Sequence, residues 1–189
     1  GPALAGPTLQ ITSQTYVLHR ETQIVSFELV FNREPDFLHA DQYGRQADAF
    51  WMDMDTDLNR ATGLNAYWYS PPLGVERRIS GAEVWSAGSL IVHDEAYGPA
   101  LGALPYSLTG TTVRFDATYT MLAIPSGASG LYYALNVAEY GGGTRGVMVG
   151  RLPPAAAGVF HPNVEMPVRG GQNPPASNRP DAYDWSPDA

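Results

Sequence analysis

The sequence predicts an all-β protein, an antiparallel β-sandwich of jelly-roll type carrying an extended C-terminal arm. Three observations predict it. Many short segments alternate apolar and polar residues with period two. Twenty glycines and sixteen prolines punctuate them, at a spacing of roughly 8–12 residues, as in sandwiches and barrels. No segment with the helical period runs longer than about three turns, and no repeat of about 20–50 residues is present.

Taken in order, residues 9–18 and 22–31 are rich in β-branched and aromatic side chains. In the second, Val25, Phe27, Leu29 and Phe31 share one face opposite Ser26 and Glu28. A polar connection, 32–47, follows, with a helical turn expected near 36–42. The stretch 49–63, AFWMDMDTDLNRATG, begins as a strand with Phe50, Met52 and Met54 facing in and the aspartates facing out. Further strands are expected at 64–69, 75–79, 82–86 and 89–96. The most regular is 111–124, where Val113, Phe115, Ala117, Tyr119, Met121 and Ala123 alternate with polar positions. Strands at 131–139 and 144–149 close the series.

This divides the chain into an N-terminal extension, 1–7, a sandwich domain, 8–152, and an arm, 153–189. The arm is dense in Pro, Gly, Asn and Ala. Proline lacks a donor and fixes φ, so neither a helix nor a central strand is expected there. Its few large apolar residues read as anchors onto other protein subunits: Phe160 along it, and Tyr183 and Trp185 at its end.

At 189 residues one domain can bury about 70% of its extended surface and needs no staples. Cysteine is absent, which excludes disulfides and thiolate metal sites. A formal net charge of −8 argues against nucleic acid, which needs a basic footprint, and against docking on anionic lipid. No run approaches the length of a membrane span. All eleven cationic residues are arginine, a usage that fits a GC-rich bacterial genome. Ala3-Leu4-Ala5 before Gly6 is similar to the end of a signal-peptide cleavage region. An exported location, periplasmic or extracellular, is therefore expected, with the cytoplasm left open.

Asp53, Asp55 and Asp57 pose the sharpest question. On a strand they would share one face about 7 Å apart, where like charges repel. Four readings are open: a cation, an arginine partner such as Arg77 or Arg78, a catalytic pair, or a solvated turn closed by Asn59, Thr62 and Gly63. An EF-hand is excluded, because its glycine and bidentate-acid positions are Leu58 and Leu64. What remains is an oxygen-rich turn in which Asp53, Asp55, Asp57, Asn59 and backbone carbonyls suit a hard cation such as calcium.

The stretch DMDTDLNRATG, with GAEVW at 81–85 downstream, resembles a pattern in exported bacterial β-sandwich domains of the DOMON and family 9 carbohydrate-binding-module group. The resemblance covers about fifteen residues in motif. It implies the sandwich fold, places Asp55, Asp57 and Asn59 on an acidic turn, and adds Glu83 on the following strand as a further calcium ligand. Domains of that group bind sugars, haem or other proteins, so the likeness speaks for fold more than ligand.

Catalysis finds little support. Jelly-roll glycoside hydrolases also set acids at alternate strand positions, but with glutamates spanning the scissile bond; here all three are aspartates. His19, His39, His93 and His161 include no pair at metal-ligand spacing. Neither a nucleophile elbow nor a phosphate loop occurs. Trp51, read as exposed beside the acids, and Tyr67 and Tyr69, read as sharing a face, are the candidate ligand-binding aromatics. The expected function is a non-enzymatic exported binding or structural module, an accessory subunit of a larger bacterial assembly. The alternatives are a carbohydrate-binding module and, more distantly, a glycoside hydrolase.

Overall fold

The computed structural model describes residues 9–40, 44, 46–69, 72–128, 130–139, 143–152 and 161–162, with backbone alone for 139, 143–152 and 161–162. In chain order the elements are β1 (Ile11–His19), β2 (Ile24–Phe31), β3 (Asp48–Asp55), β4 (Leu64–Ala66), β5 (Leu73–Val75), β6 (Arg77–Ser80), α1 (Val84–Ala87), β7 (Leu90–Asp94), β8 (Ala100–Leu104), β9 (Tyr106–Thr109), β10 (Thr112–Thr118), α2 (Tyr119–Leu122), β11 (Leu131–Glu139), β12 (Gly143–Leu152) and β13 (His161–Pro162).

Two antiparallel sheets form the sandwich. One has the order β13-β1-β2-β10-β9 and the other β12-β11-β3-β6-β7-β8. Alternation does what the sequence predicts. Val25, Phe27, Leu29 and Phe31 of β2 are buried, while the intervening residues are only partly so. They meet Phe50, Met52 and Met54 of β3 and Tyr133, Leu135 and Val137 of β11 in one core. Rings bridge the sheets: Phe27 packs edge-on against Tyr133, with centroids 6.4 Å apart, and Phe50 stacks near Phe115 at 6.3 Å. Each such fully buried side chain contributes about 1.5–3 kcal/mol through loss of water contact.

A third layer positions the candidate sites. β4 and β5 form a hairpin of their own, which packs on the outer face of the larger sheet. There Ala66, Tyr69, Leu73, Val75 and Ala96 bury against Tyr132 and Ala134 of β11 in a second apolar cluster. β3 is consequently buried along nearly all its length on both faces.

Several expectations are corrected. Residues 36–40 hold no helical turn, and Ala40 instead bridges to Gln46. The expected strand at 64–69 stops at Ala66 and turns. The one at 75–79 is two strands broken at Glu76. Residues 82–86 coil into α1, closed by Gly88 in the left-handed region. The 111–124 strand ends at Thr118, whose hydroxyl accepts the Met121 N–H and starts α2. Strands β8 and β9 escaped prediction because Gly102 and the Pro105 junction interrupt their pattern. The arm lies outside the described residues except for His161–Pro162, which pair with Gln14 and Ser13 of β1. At that point regular pairing exists where none was expected. Pro162 is tolerated because β13 is an edge strand.

Candidate functional site

Asp53 and Asp55 do point away from the sandwich core, yet both are completely buried. The β4–β5 layer covers the face on which they stand. Asp53 lies across from Arg78 in the β3–β6 register. Arg78 Nε donates to Oδ1 at 2.6 Å and Nη2 to Oδ2 at 3.0 Å. The Tyr69 hydroxyl donates to Oδ2 at 2.5 Å and itself accepts from Asn136 Nδ2 at 2.9 Å. Burial first, and then the Asp53 charge beside it, hold the Tyr69 phenol well above its ordinary range, so it stays a donor. Of the four readings, the arginine partner is realised at Asp53.

Two positions on, the environment changes. Asp55, Asp57 and Glu76 converge, with one oxygen from each lying within 4.8 Å of the others. The loop after β3 makes this possible. Asn59 N–H donates to Asp55 Oδ1 (3.1 Å) and Asp57 Oδ1 (2.9 Å), and the Asn59 amide oxygen accepts from Ala61 N–H. Leu58 takes φ 59° to make the bend. Gly63, at φ +74°, closes the loop where a Cβ would lie 2.6 Å from Val75 O and 2.7 Å from Glu76 Oε1. Glu76 Oε2 accepts from Thr56 N–H at 2.8 Å. Burial is the main cause lifting the Asp55 carboxyl to about 8, and the Glu76 charge adds to it; burial likewise lifts Glu76 to about 7.

A second feature lies on the same outer face. Trp51, Arg78, Tyr97, Trp68 and Tyr67 form a continuous row. The Arg78 guanidinium carbon stands 5.7 Å from the Trp51 ring centre and 4.9 Å from that of Tyr97. Tyr97 lies 5.9 Å from Trp68, and Trp68 5.4 Å from Tyr67, with the rings tilted or perpendicular to each other. Tyr67 and Tyr97 are 75% and 74% exposed. A separate groove of about 580 Å³ is lined by Glu34, Phe37, His39 and Tyr106 among others, and shares no residue with either feature.

Against the sequence expectations, Asp55 and Asp57 belong to the acidic cluster and Asp53 does not, being paired with Arg78. Asn59 serves the turn through its side chain, as the turn reading expects. Glu83 is elsewhere: it precedes α1, and its Oε2 meets His93 Nε2 at 2.7 Å. The glutamate that joins the aspartates is Glu76, hidden in VERRI because that stretch reads as one strand rather than a break between two. Trp51 is half-buried rather than exposed, since Arg78 lies over it. Tyr67 and Tyr69 do not share a face: the turn after β4 exposes the first and buries the second. Trp68 and Tyr97 went unnoticed as ligand-binding candidates, though Tyr97 immediately before Gly98-Pro99 is a ring in a turn, where exposure is the rule. Phe160, Tyr183 and Trp185 lie outside the described residues. No family model, curated protein or solved structure matches the chain.

Proposed function

We propose that this protein is a non-enzymatic binding module that takes a neutral saccharide on the outer face of its larger sheet. The observation that carries the reading is the aromatic row with Tyr67 and Tyr97 exposed in it, set beside a fixed polar pair. Pyranose rings present apolar C–H faces that stack on Tyr and Trp, while a few oriented polar groups select the hydroxyl pattern. Here Trp68 holds the two tyrosines apart in orientation, so their rings do not satisfy one another by stacking. Arg78, locked by Asp53, fixes Tyr97 from one side. The net charge of −8 disfavours polyanionic glycans and leaves neutral ones.

The acidic cluster supports catalysis poorly. Retaining hydrolysis requires two carboxyls about 5–5.5 Å apart flanking an open scissile bond. Asp55 is sealed from solvent and its neighbours converge on it. An accessory role in a larger assembly would rest on the arm, and the described residues bear instead on the sandwich.

Calorimetric titration against a panel of neutral oligosaccharides tests the reading. One or more should bind, and Tyr97→Ala and Tyr67→Ala should each weaken binding about tenfold, a stacking contribution on the order of 1 kcal/mol. Trp85, another exposed ring outside the row, is the control, and Trp85→Ala should bind as the parent does. Absence of binding across the panel, or equal loss in the control, would refute saccharide recognition at this face.

A further inference from the structure

We propose that Asp55, Asp57 and Glu76 form a site for a hard divalent cation, calcium by preference, that locks the 56–63 loop against the strand break at Glu76. The cluster alone would not carry this, since acids gather on surfaces without ions. Two further facts do. Asp55 Oδ2 is wholly buried and accepts no hydrogen bond from the described residues, while the same carboxylate stands in the converging group. A buried acceptor left without a donor is costly, and more so when charged, so the ionised carboxylate calls for a positive partner.

The second fact is a shortage of donors. The Thr62 hydroxyl lies 2.6 Å from Asp57 Oδ2, 2.8 Å from Asn59 O and 3.1 Å from Glu76 Oε1. It has one hydrogen and can satisfy one of the three at a time. Asn59 N–H is likewise divided between two carboxylates. The two arginines that follow Glu76 are turned elsewhere: Arg77 donates to Asp94 Oδ1 at 2.7 Å and Arg78 to Asp53. A cation resolves the surplus of acceptors in one step.

The donor set specifies which cation. Every ligand atom on offer is an oxygen, and no histidine belongs to the cluster, which disfavours zinc and other soft metals. Calcium–oxygen distances of about 2.3–2.6 Å place ligands on opposite sides of the ion about 4.6–5.2 Å apart, whereas magnesium needs about 4.0–4.2 Å in a strict octahedron. Ligands drawn from an irregular loop and a strand break, all within 4.8 Å of one another, suit the looser calcium shell better than a strict octahedron.

The full chain, stripped with chelator and exchanged into chelator-free buffer, should be titrated with calcium chloride, magnesium chloride and zinc chloride while thermal unfolding and heat of binding are followed. Calcium should bind once per chain. At about a hundredfold over its Kd the folding equilibrium shifts about a hundredfold, raising Tm by roughly 5–10 °C; magnesium should do less and zinc nothing. Glu76→Gln should keep the fold and abolish the calcium response. Asp57→Asn serves as a second variant, since its side chain sits at the solvent edge and its loss leaves the core intact. Glu83→Gln should respond as the parent does. Identical melting in calcium and chelator, or a full calcium response in both cluster variants, overturns the site. Because the aromatic row shares no residue with these ligands, failure of saccharide binding leaves this result untouched, and the converse also holds.

Discussion

Asp53 and Arg78 face each other across the β3–β6 pair, with Arg78 Nε 2.6 Å from Asp53 Oδ1. The carboxylate is fully enclosed, whereas the arginine side chain keeps 16% of its exposure. Burial alone would depress the guanidinium, but the Asp53 contacts outweigh it, and the Arg78 pKa is raised. This one pair ties the acidic strand to the aromatic row, because the same guanidinium lies over Trp51 and Tyr97.

Breaking the pair from the arginine side should be costly. Arg78→Ala leaves a buried carboxylate with, among the described residues, only the Tyr69 hydroxyl, a loss of about 3–5 kcal/mol. Arg78→Met with Asp53→Leu should recover a large part of that, because no charge is left stranded. Chemical denaturation measures both; a single variant as stable as the parent would contradict the geometry.

Removing one oxygen probes the same network more gently. Tyr69→Phe takes away the donor to Asp53 and the acceptor of Asn136 Nδ2, and should cost about 1–3 kcal/mol. The ring volume is kept, so the denaturant slope should not change.

Two glycines separate backbone strain from crowding. Gly63 and Gly88 share a left-handed φ, +74° and +76°, but a Cβ at Gly88 meets open space while one at Gly63 meets Val75 O and Glu76 Oε1. Gly88→Ala should cost about 1–2 kcal/mol. Gly63→Ala should cost clearly more and also weaken the calcium response. Equal costs would mean that the loop yields.

The cation-free protein should lose stability as pH rises. Asp55 and Glu76 are raised to about 8 and about 7 from ordinary values of 3.8 and 4.5. Between those limits the folded chain holds protons that the unfolded chain releases, so stability is fullest below about pH 4 for these two groups and declines until about pH 8. Tm in chelator should therefore fall from pH 5 to pH 8, and the fall should be shallower in Glu76→Gln. A Tm that is flat or rising across that range in the parent, with no change in the variant, would argue against buried, proton-holding acids.

By itself the sequence determined the sandwich. Period two in Val25, Phe27, Leu29 and Phe31, and in Phe50, Met52 and Met54, selects one face for the core, because successive strand residues point to opposite sides. It also determined that Asp53 and Asp55 stand on the other face. Whether that face is wet is a different matter, decided by which segment packs over it. Only the tertiary structure shows the β4–β5 hairpin there, enclosing both acids, and the break after Val75 that brings Glu76 to Asp55 from a distance of twenty-one positions. Local pattern records a side chain's direction. Its surroundings depend on contacts between segments far apart in the chain, and these separate Asp53, matched to Arg78, from Asp55, left with an oxygen that no donor among the described residues reaches.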